Sequence, residues 1–192
     1  MRMHFIWTKC IKYVNLSVKK GKIHHNDFII DRLTNSIVNT ISGDSFPTEV
    51  SLFVKSDLKE IANNKNWLFD WSSELSSTDR EVYKLTITNN IHVIQGLASL
   101  TVKSDHVLIH LIENAPFNRG KEKLYEGVPG NLVAFACRLS FQRGHEGYVS
   151  FHSKSKLVDH YIKTLGARHY GNQLMLIETE AATNLVNKYF KS

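Results

Sequence analysis

Tyr125-Glu126-Gly127-Val128-Pro129-Gly130-Asn131-Leu132-Val133-Ala134-Phe135-Ala136-Cys137-Arg138-Leu139-Ser140-Phe141 is a glycine turn that opens straight into the most apolar helical pattern of the chain. Leu132, Phe135, Ala136 and Leu139 recur at helical spacing, and Val133, Ala134, Cys137 and Phe141 fill other faces. Only Arg138, Ser140 and Gln142 are polar, so the helix is expected inside, packed on a sheet. Its pattern is read as starting after Gly130 and ending at Gly144. Upstream lies Val107-Leu108-Ile109-His110-Leu111-Ile112, whose near-continuous apolarity predicts a central strand covered on both faces. Strand, glycine turn and buried helix together leave backbone N–H groups at a helix start, where a phosphate can be held.

Upstream of this unit the sequence predicts strands. Phe28-Ile29-Ile30, Ser36–Ile41 and Thr48–Lys55 are rich in strand-forming residues, and Ser42–Pro47 reads as a loop. Ser56 is placed as the N-cap of a short helix carrying Leu58, Ile61 and Ala62, closed by Asn63–Asn66. Trp67-Leu68-Phe69-Asp70-Trp71 reads either as a packed strand or as one wall of a pocket, since aromatics give large rigid contact area. Ser72–Arg80 reads as loop, and Glu81–Thr88 alternates as a half-buried strand. Ile91–Val102 and His106–Ile112 form a hairpin. His106 and His110 fall on one face at i, i+4, read as ordinary polar histidines in the absence of a third ligand. Pro116 forces the central strand to end. Glu113, at that end, is either a solvated carboxylate or one whose pKa is raised by desolvation and which can serve as a base.

Downstream, Gly147–Phe151 is a strand. Ser153 or Ser155 is expected to cap a helix with Leu157, Val158, Tyr161, Ile162 and Leu165 inward and Gly166 at its end. Gln173–Glu178 is a strand, and Thr179 caps a terminal helix. The order predicts an α/β fold with helices on a mixed sheet.

Length, charge and cysteines set the bounds. A chain of 192 residues suits one core, with 42% apolar and 22% charged residues. The formal charge of +6 sits wholly in residues 1–26, where Arg2, Lys9, Lys12, Lys19, Lys20 and Lys22 occur without an acid. The 18 basic residues that follow match the 18 acids. The body is therefore neutral, which argues against a nucleic-acid groove, while the basic arm is read as a solvated terminus or a polyanion contact. Cys10 and Cys137 make neither a metal site nor a disulfide framework. No signal-peptide core or membrane span is legible. The expectation is an intracellular, cytoplasmic protein with reduced thiols and no membrane partner. No Gly-x-Ser-x-Gly elbow of a nucleophilic hydrolase occurs.

Residues 81–178 resemble the GNAT superfamily of acyl-CoA-dependent N-acyltransferases. The likeness rests on the central strand followed by Gly127-Val128-Pro129-Gly130-Asn131-Leu132, on Gly147–Phe151 in the place of the splaying strand, and on His160–Ala167 with Gly171. The last of these is similar to the family's tyrosine-to-glycine helix end. The sequence departs from the family turn at Leu124, where Gln or Arg is usual, and at Pro129, where a small residue is usual; Pro lacks the N–H that binds phosphate. Arg119-Gly120-Lys121 offers a second register for the same turn.

The resemblance implies a single GNAT-like domain over residues 27–192, best matched over 81–178, preceded by the arm of residues 1–26. It implies transfer of an acetyl or other acyl group from acetyl-CoA to a small-molecule or protein amine, with no metal. Pantetheine would lie between the splayed strands and the pyrophosphate on the glycine turn. By position, Glu113 would be the base, Tyr161 the acid or donor at the thiol, and a strand N–H near Leu111–Glu113 the donor to the carbonyl. Gly127, Val128, Gly130, Asn131 and Leu132 would supply the phosphate-binding turn. The alternative is a non-catalytic GNAT-like domain that binds acyl-CoA or a partner.

Overall fold

Alternating strands and amphipathic helices fold, in a computed structural model, around one mixed sheet. The structure describes residues 23–62 and 66–190; the readings made on Cys10, on residues 1–22 of the basic arm and on Asn63–Lys65 lie outside these. The strands are β1 (Ser36–Asn39), β2 (Ser45–Leu52), β3 (Glu81–Ile87), β4 (Asn90–Val102), β5 (Val107–Asn114), β6 (Tyr125–Glu126), β7 (Val149–His152), β8 (Arg168–His169) and β9 (Leu174–Ile177). Among the described residues they form one nine-stranded sheet in the order β6-β1-β2-β3-β4-β5-β7-β9-β8. β5 and β7 run parallel, and the neighbouring pairs on either side are antiparallel. The helices are α1 (Leu58–Ala62), α2 (Trp71–Ser76), α3 (Val128–Gln142), α4 (Val158–Leu165) and α5 (Thr179–Tyr189). The mixed central sheet flanked by helices is the architecture expected from the sequence.

The main core lies between the sheet and α3. Leu85, Leu100, Ile109, Leu132 and Phe151 are fully buried in it. α3 is buried around most of its circumference, as its composition demands. A smaller core on the opposite face gathers Phe53, Trp71, Val82, Ile94, Leu97 and Leu111. No helix among the described residues is long and apolar enough to cross a membrane.

Several local expectations are corrected. Phe28–Ile30 is not a strand, although Phe28 and Ile30 are buried; side chains of α4 take its backbone groups instead. Trp67–Trp71 is not a strand either. Trp71 begins α2, because the Asp70 carboxylate accepts from the N–H groups of Ser72 and Ser73, both at 3.1 Å. Ser56 sits inside a 3-10 turn, Lys55–Asp57, rather than capping a helix. Neither Ser153 nor Ser155 caps α4, which continues from a 3-10 turn at Ser155–Leu157. α3 begins at Val128, three residues before the start read from the sequence pattern. Pro129 is tolerated there because first-turn N–H groups have no partner within the helix.

Candidate functional site

β5 and β7 pair over only three positions, Val107–Ile109 with Val149–Phe151. A bulge lies just beyond. On the β4 side the register jumps from Leu100↔Ile109 to Ser99↔Leu111, which leaves His110 without a partner. The extra residue shifts the alternation. Val107, Ile109 and Ile112 pack with the main core, whereas Leu111 packs with the smaller one. Glu113 follows Leu111 and meets Trp71. The parting of β5 and β7 and the bulge beside it create a wedge with unpaired strand edges.

The chain fills that wedge itself. Asn26 is 1% exposed. Its backbone N–H donates to the His152 carbonyl at 2.7 Å, and its carbonyl accepts from Lys154 N–H at 3.0 Å. Its side-chain Oδ1 accepts from Ile112 N–H at 3.2 Å, and Nδ2 donates to the His152 carbonyl at 3.3 Å and to the His110 carbonyl at 3.4 Å. One amide therefore joins both strands where they separate.

The next residues continue along the groove. The Phe28 ring lies against Phe151 and Tyr161, with centroids 5.9 and 5.0 Å away. The Tyr161 hydroxyl donates to the Phe28 carbonyl at 2.8 Å. Tyr161 is fully buried, and burial raises its phenol pKa well above the ordinary value. Ile30 N–H donates to His160 Nε2 at 2.9 Å. Burial holds His160 below the usual imidazole range, in keeping with a neutral acceptor.

Asp31 then reaches the start of α3. Its Oδ1 accepts from Gly127 N–H at 2.9 Å and its Oδ2 from Lys123 Nζ at 2.8 Å. A carboxylate at a helix N-terminus faces the positive end of the helix dipole. Lys123 also approaches Glu126 at 3.3 Å, and these acids raise its pKa despite partial burial.

Gly127 and Gly130 serve packing. Gly127 has φ +94, a left-handed conformation that glycine adopts without penalty. A Cβ on Gly130 would stand 2.1 Å from the Tyr189 hydroxyl oxygen and 2.9 Å from the Arg32 carbonyl. The glycine thus lets α3 approach α5 and the incoming chain. Asn131, 3% exposed, donates from Nδ2 to the carbonyls of Ser36 at 3.2 Å and Gly127 at 2.8 Å. Its Oδ1 accepts from the Thr48 hydroxyl at 3.1 Å. Val128 and Leu132 are buried in the main core.

Glu113 is 3% exposed and is held from three sides. Leu68 N–H and the Arg119 guanidinium donate to Oε1 at 2.6 and 3.1 Å, and the Trp71 indole donates to Oε2 at 2.7 Å. Desolvation raises the Glu113 pKa, and these donors hold it back. The aromatic stretch read as strand or pocket wall therefore supplies the lid on this carboxylate. Glu113 bonds to Trp71 of the smaller core, and Tyr161 packs in the main core.

Some of the groups that the resemblance assigns to CoA have partners within the chain in this conformation. Asn26 occupies the wedge, Ile112 N–H is engaged by an amide oxygen, and Gly127 N–H is engaged by a carboxylate. The sequence reading missed Asn26, Asp31, Trp71 and Arg119 as partners. Only Trp71 carried a legible signal, the aromatic density around it.

No protein-family model matches the chain, and no curated protein matches it. Solved structures do. A chimera of the Vibrio cholerae spermidine N-acetyltransferase SpeG with hSSAT is 16% identical, with a TM-score of 0.48, over 71% of this chain and 98% of its own. A ribosomal-protein alanine N-acetyltransferase of Escherichia coli is 11% identical, with a TM-score of 0.40, over 68% and 94%. A mutant AtaT toxin, bound to the C-terminus of the antitoxin AtaR and acetyl-CoA, is 10% identical, with a TM-score of 0.43, over 72% and 97%.

Proposed function

We propose that the chain is a GNAT-like domain that works in the cytoplasm by binding acyl-CoA or a partner and, in the conformation described, does not transfer acyl groups. The observation that supports this reading is the engagement of the groups that acyl transfer would need. Ile112 N–H, one of the strand donors expected near the carbonyl, bonds to Asn26. Gly127 N–H, one of the donors expected at the pyrophosphate, bonds to Asp31. The Tyr161 hydroxyl bonds to a backbone carbonyl, and both Glu113 oxygens accept from donors of the chain. These donors compete with a proton for the Glu113 oxygens, against the desolvation that raises its pKa.

The experiment is thiol release from acetyl-CoA, followed across a panel of small amines and amine-bearing peptides. No release above the uncatalysed rate is expected from the wild-type chain. Release that depends on the amine would overturn the reading. It would restore the second one, an N-acyltransferase acting on an amine, which is favoured by the raised pKa of Glu113.

A further inference from the structure

We propose that Asn26–Asp31 is an intramolecular occupant of the acyl-donor groove, a strap that covers three successive subsites and leaves a latent anion-binding groove beneath it. The proposal rests on the reading above only for the strapped state.

Three contacts, spread along six residues, follow the line of the groove. The Asn26 carboxamide lies where β5 and β7 separate, with its carbonyl on the N–H of Ile112, two residues beyond the bulge at His110. An amide there satisfies strand-edge groups that would otherwise be buried without partners. The Phe28 carbonyl then accepts from the Tyr161 hydroxyl. Finally, the Asp31 carboxylate places a negative charge on Gly127 N–H and beside Lys123. Amide, carbonyl and anion in that order reproduce the polarity of an extended amide-bearing chain that ends in a phosphate.

The strap also fits the groove imperfectly. Ser153 bridges to Asn26 and is fully buried, yet its hydroxyl oxygen has no hydrogen-bond partner among the described residues. Buried polar atoms in native proteins are usually paired. An unpaired hydroxyl beside Asn26 marks a wall that offers more polar capacity than the strap uses. Ile29, between the buried Phe28 and Ile30, is 49% exposed, so one side of the strap faces solvent.

The test uses the full chain carrying Asn26→Ala with Asp31→Ala, titrated with CoA by calorimetry and checked for folding by circular dichroism. CoA affinity at least about tenfold above that of the wild-type chain is expected, because the engaged N–H groups are released. A folded double variant that binds CoA no better than the wild type would falsify the proposal. If the double variant does not fold, Asp31→Ala alone is titrated with inorganic pyrophosphate, which needs only the helix start. A gain of about tenfold supports the strap, and unchanged affinity overturns it. The two readings fail separately. Amine-dependent thiol release by the wild-type chain defeats the binding-only reading, whereas unchanged affinity in the variants defeats the strap.

Discussion

At Glu113 burial and hydrogen bonding act in opposite directions, and the donors around it decide what the residue is for. A buried carboxylate with an indole, a backbone N–H and a guanidinium on its oxygens is a structural tie between β5, the chain before α2 and Arg119. Glu113→Gln turns one acceptor into a donor that must face Trp71 or Leu68. A loss of about 1–3 kcal/mol is expected in urea unfolding. Stability equal to wild type would show that the tie is not needed. Three residues earlier, His110 makes a prediction about pH. The Thr101 hydroxyl donates to the Asp79 carbonyl, so His110 Nε2 carries the proton and donates to Thr101. Desolvation, then Arg80, pushes the His110 pKa down to about 4, against the pull of Glu74 and Asp79. A base with a depressed folded pKa leaves the unfolded chain binding more protons as pH falls. Its contribution to stability is therefore complete above about pH 6.5 and is lost between there and about pH 4. His110→Gln keeps a donor toward Thr101 without titrating. Its stability-versus-pH curve is expected to be flatter than wild type across that window, and parallel curves would refute the assignment.

At the scale of elements, the first turn of α3 shows why a glycine-rich helix start can be read in two ways. The same residues suit a phosphate cradle and a close crossing of chain segments, because both need a missing side chain. Gly130 belongs to the second case: its missing Cβ makes room for Tyr189 and Arg32. Gly130→Ala is expected to cost about 1–3 kcal/mol without any ligand present. Adding Tyr189→Phe removes the nearest clashing atom and is expected to recover part of that loss. The double-mutant cycle reads the coupling directly, and strict additivity would mean that the contact is not what Gly130 serves. The strands from Glu81 to Asn114, the apolar helix α3 and the α4–β9–α5 end were legible in the sequence, because periodicity and apolarity are local signals. The strand expected at Phe28–Ile30 failed because its buried side chains pack in a groove whose walls come from β5, β7 and α4. The strand expected at Trp67–Trp71 failed because the Asp70 cap outweighs the strand preference of two tryptophans. Among the site residues, positions such as Glu113, Gly127 and Tyr161 could be marked from their flanks. Asn26 and Asp31, which bond to Ile112 and Gly127, are more than 80 residues away from them and carried no motif.

At the scale of the molecule, the sheet has a narrow waist. β1–β6 lie on one side and β7–β9 on the other, joined across the sheet by three parallel pairs between β5 and β7. α3 spans the waist on one face, and Asn26 closes it from within by bonding to both strands. A joint of so few ladder pairs depends on such cross-links, since each buried N–H or carbonyl left open costs about 1–3 kcal/mol. Asn26→Ala keeps the backbone bonds to His152 and Lys154 but removes the acceptor of Ile112 N–H. The expected result is a loss of about 1–3 kcal/mol in chemical denaturation, with faster hydrogen exchange at Ile112. Exchange at Ile109 and Val107, inside the paired stretch, is expected to change only by the global loss. Equal acceleration at all three amides would mean that Asn26 supports the whole sheet and not its waist. Unchanged exchange at Ile112 would mean that the wedge is held open by the strands themselves.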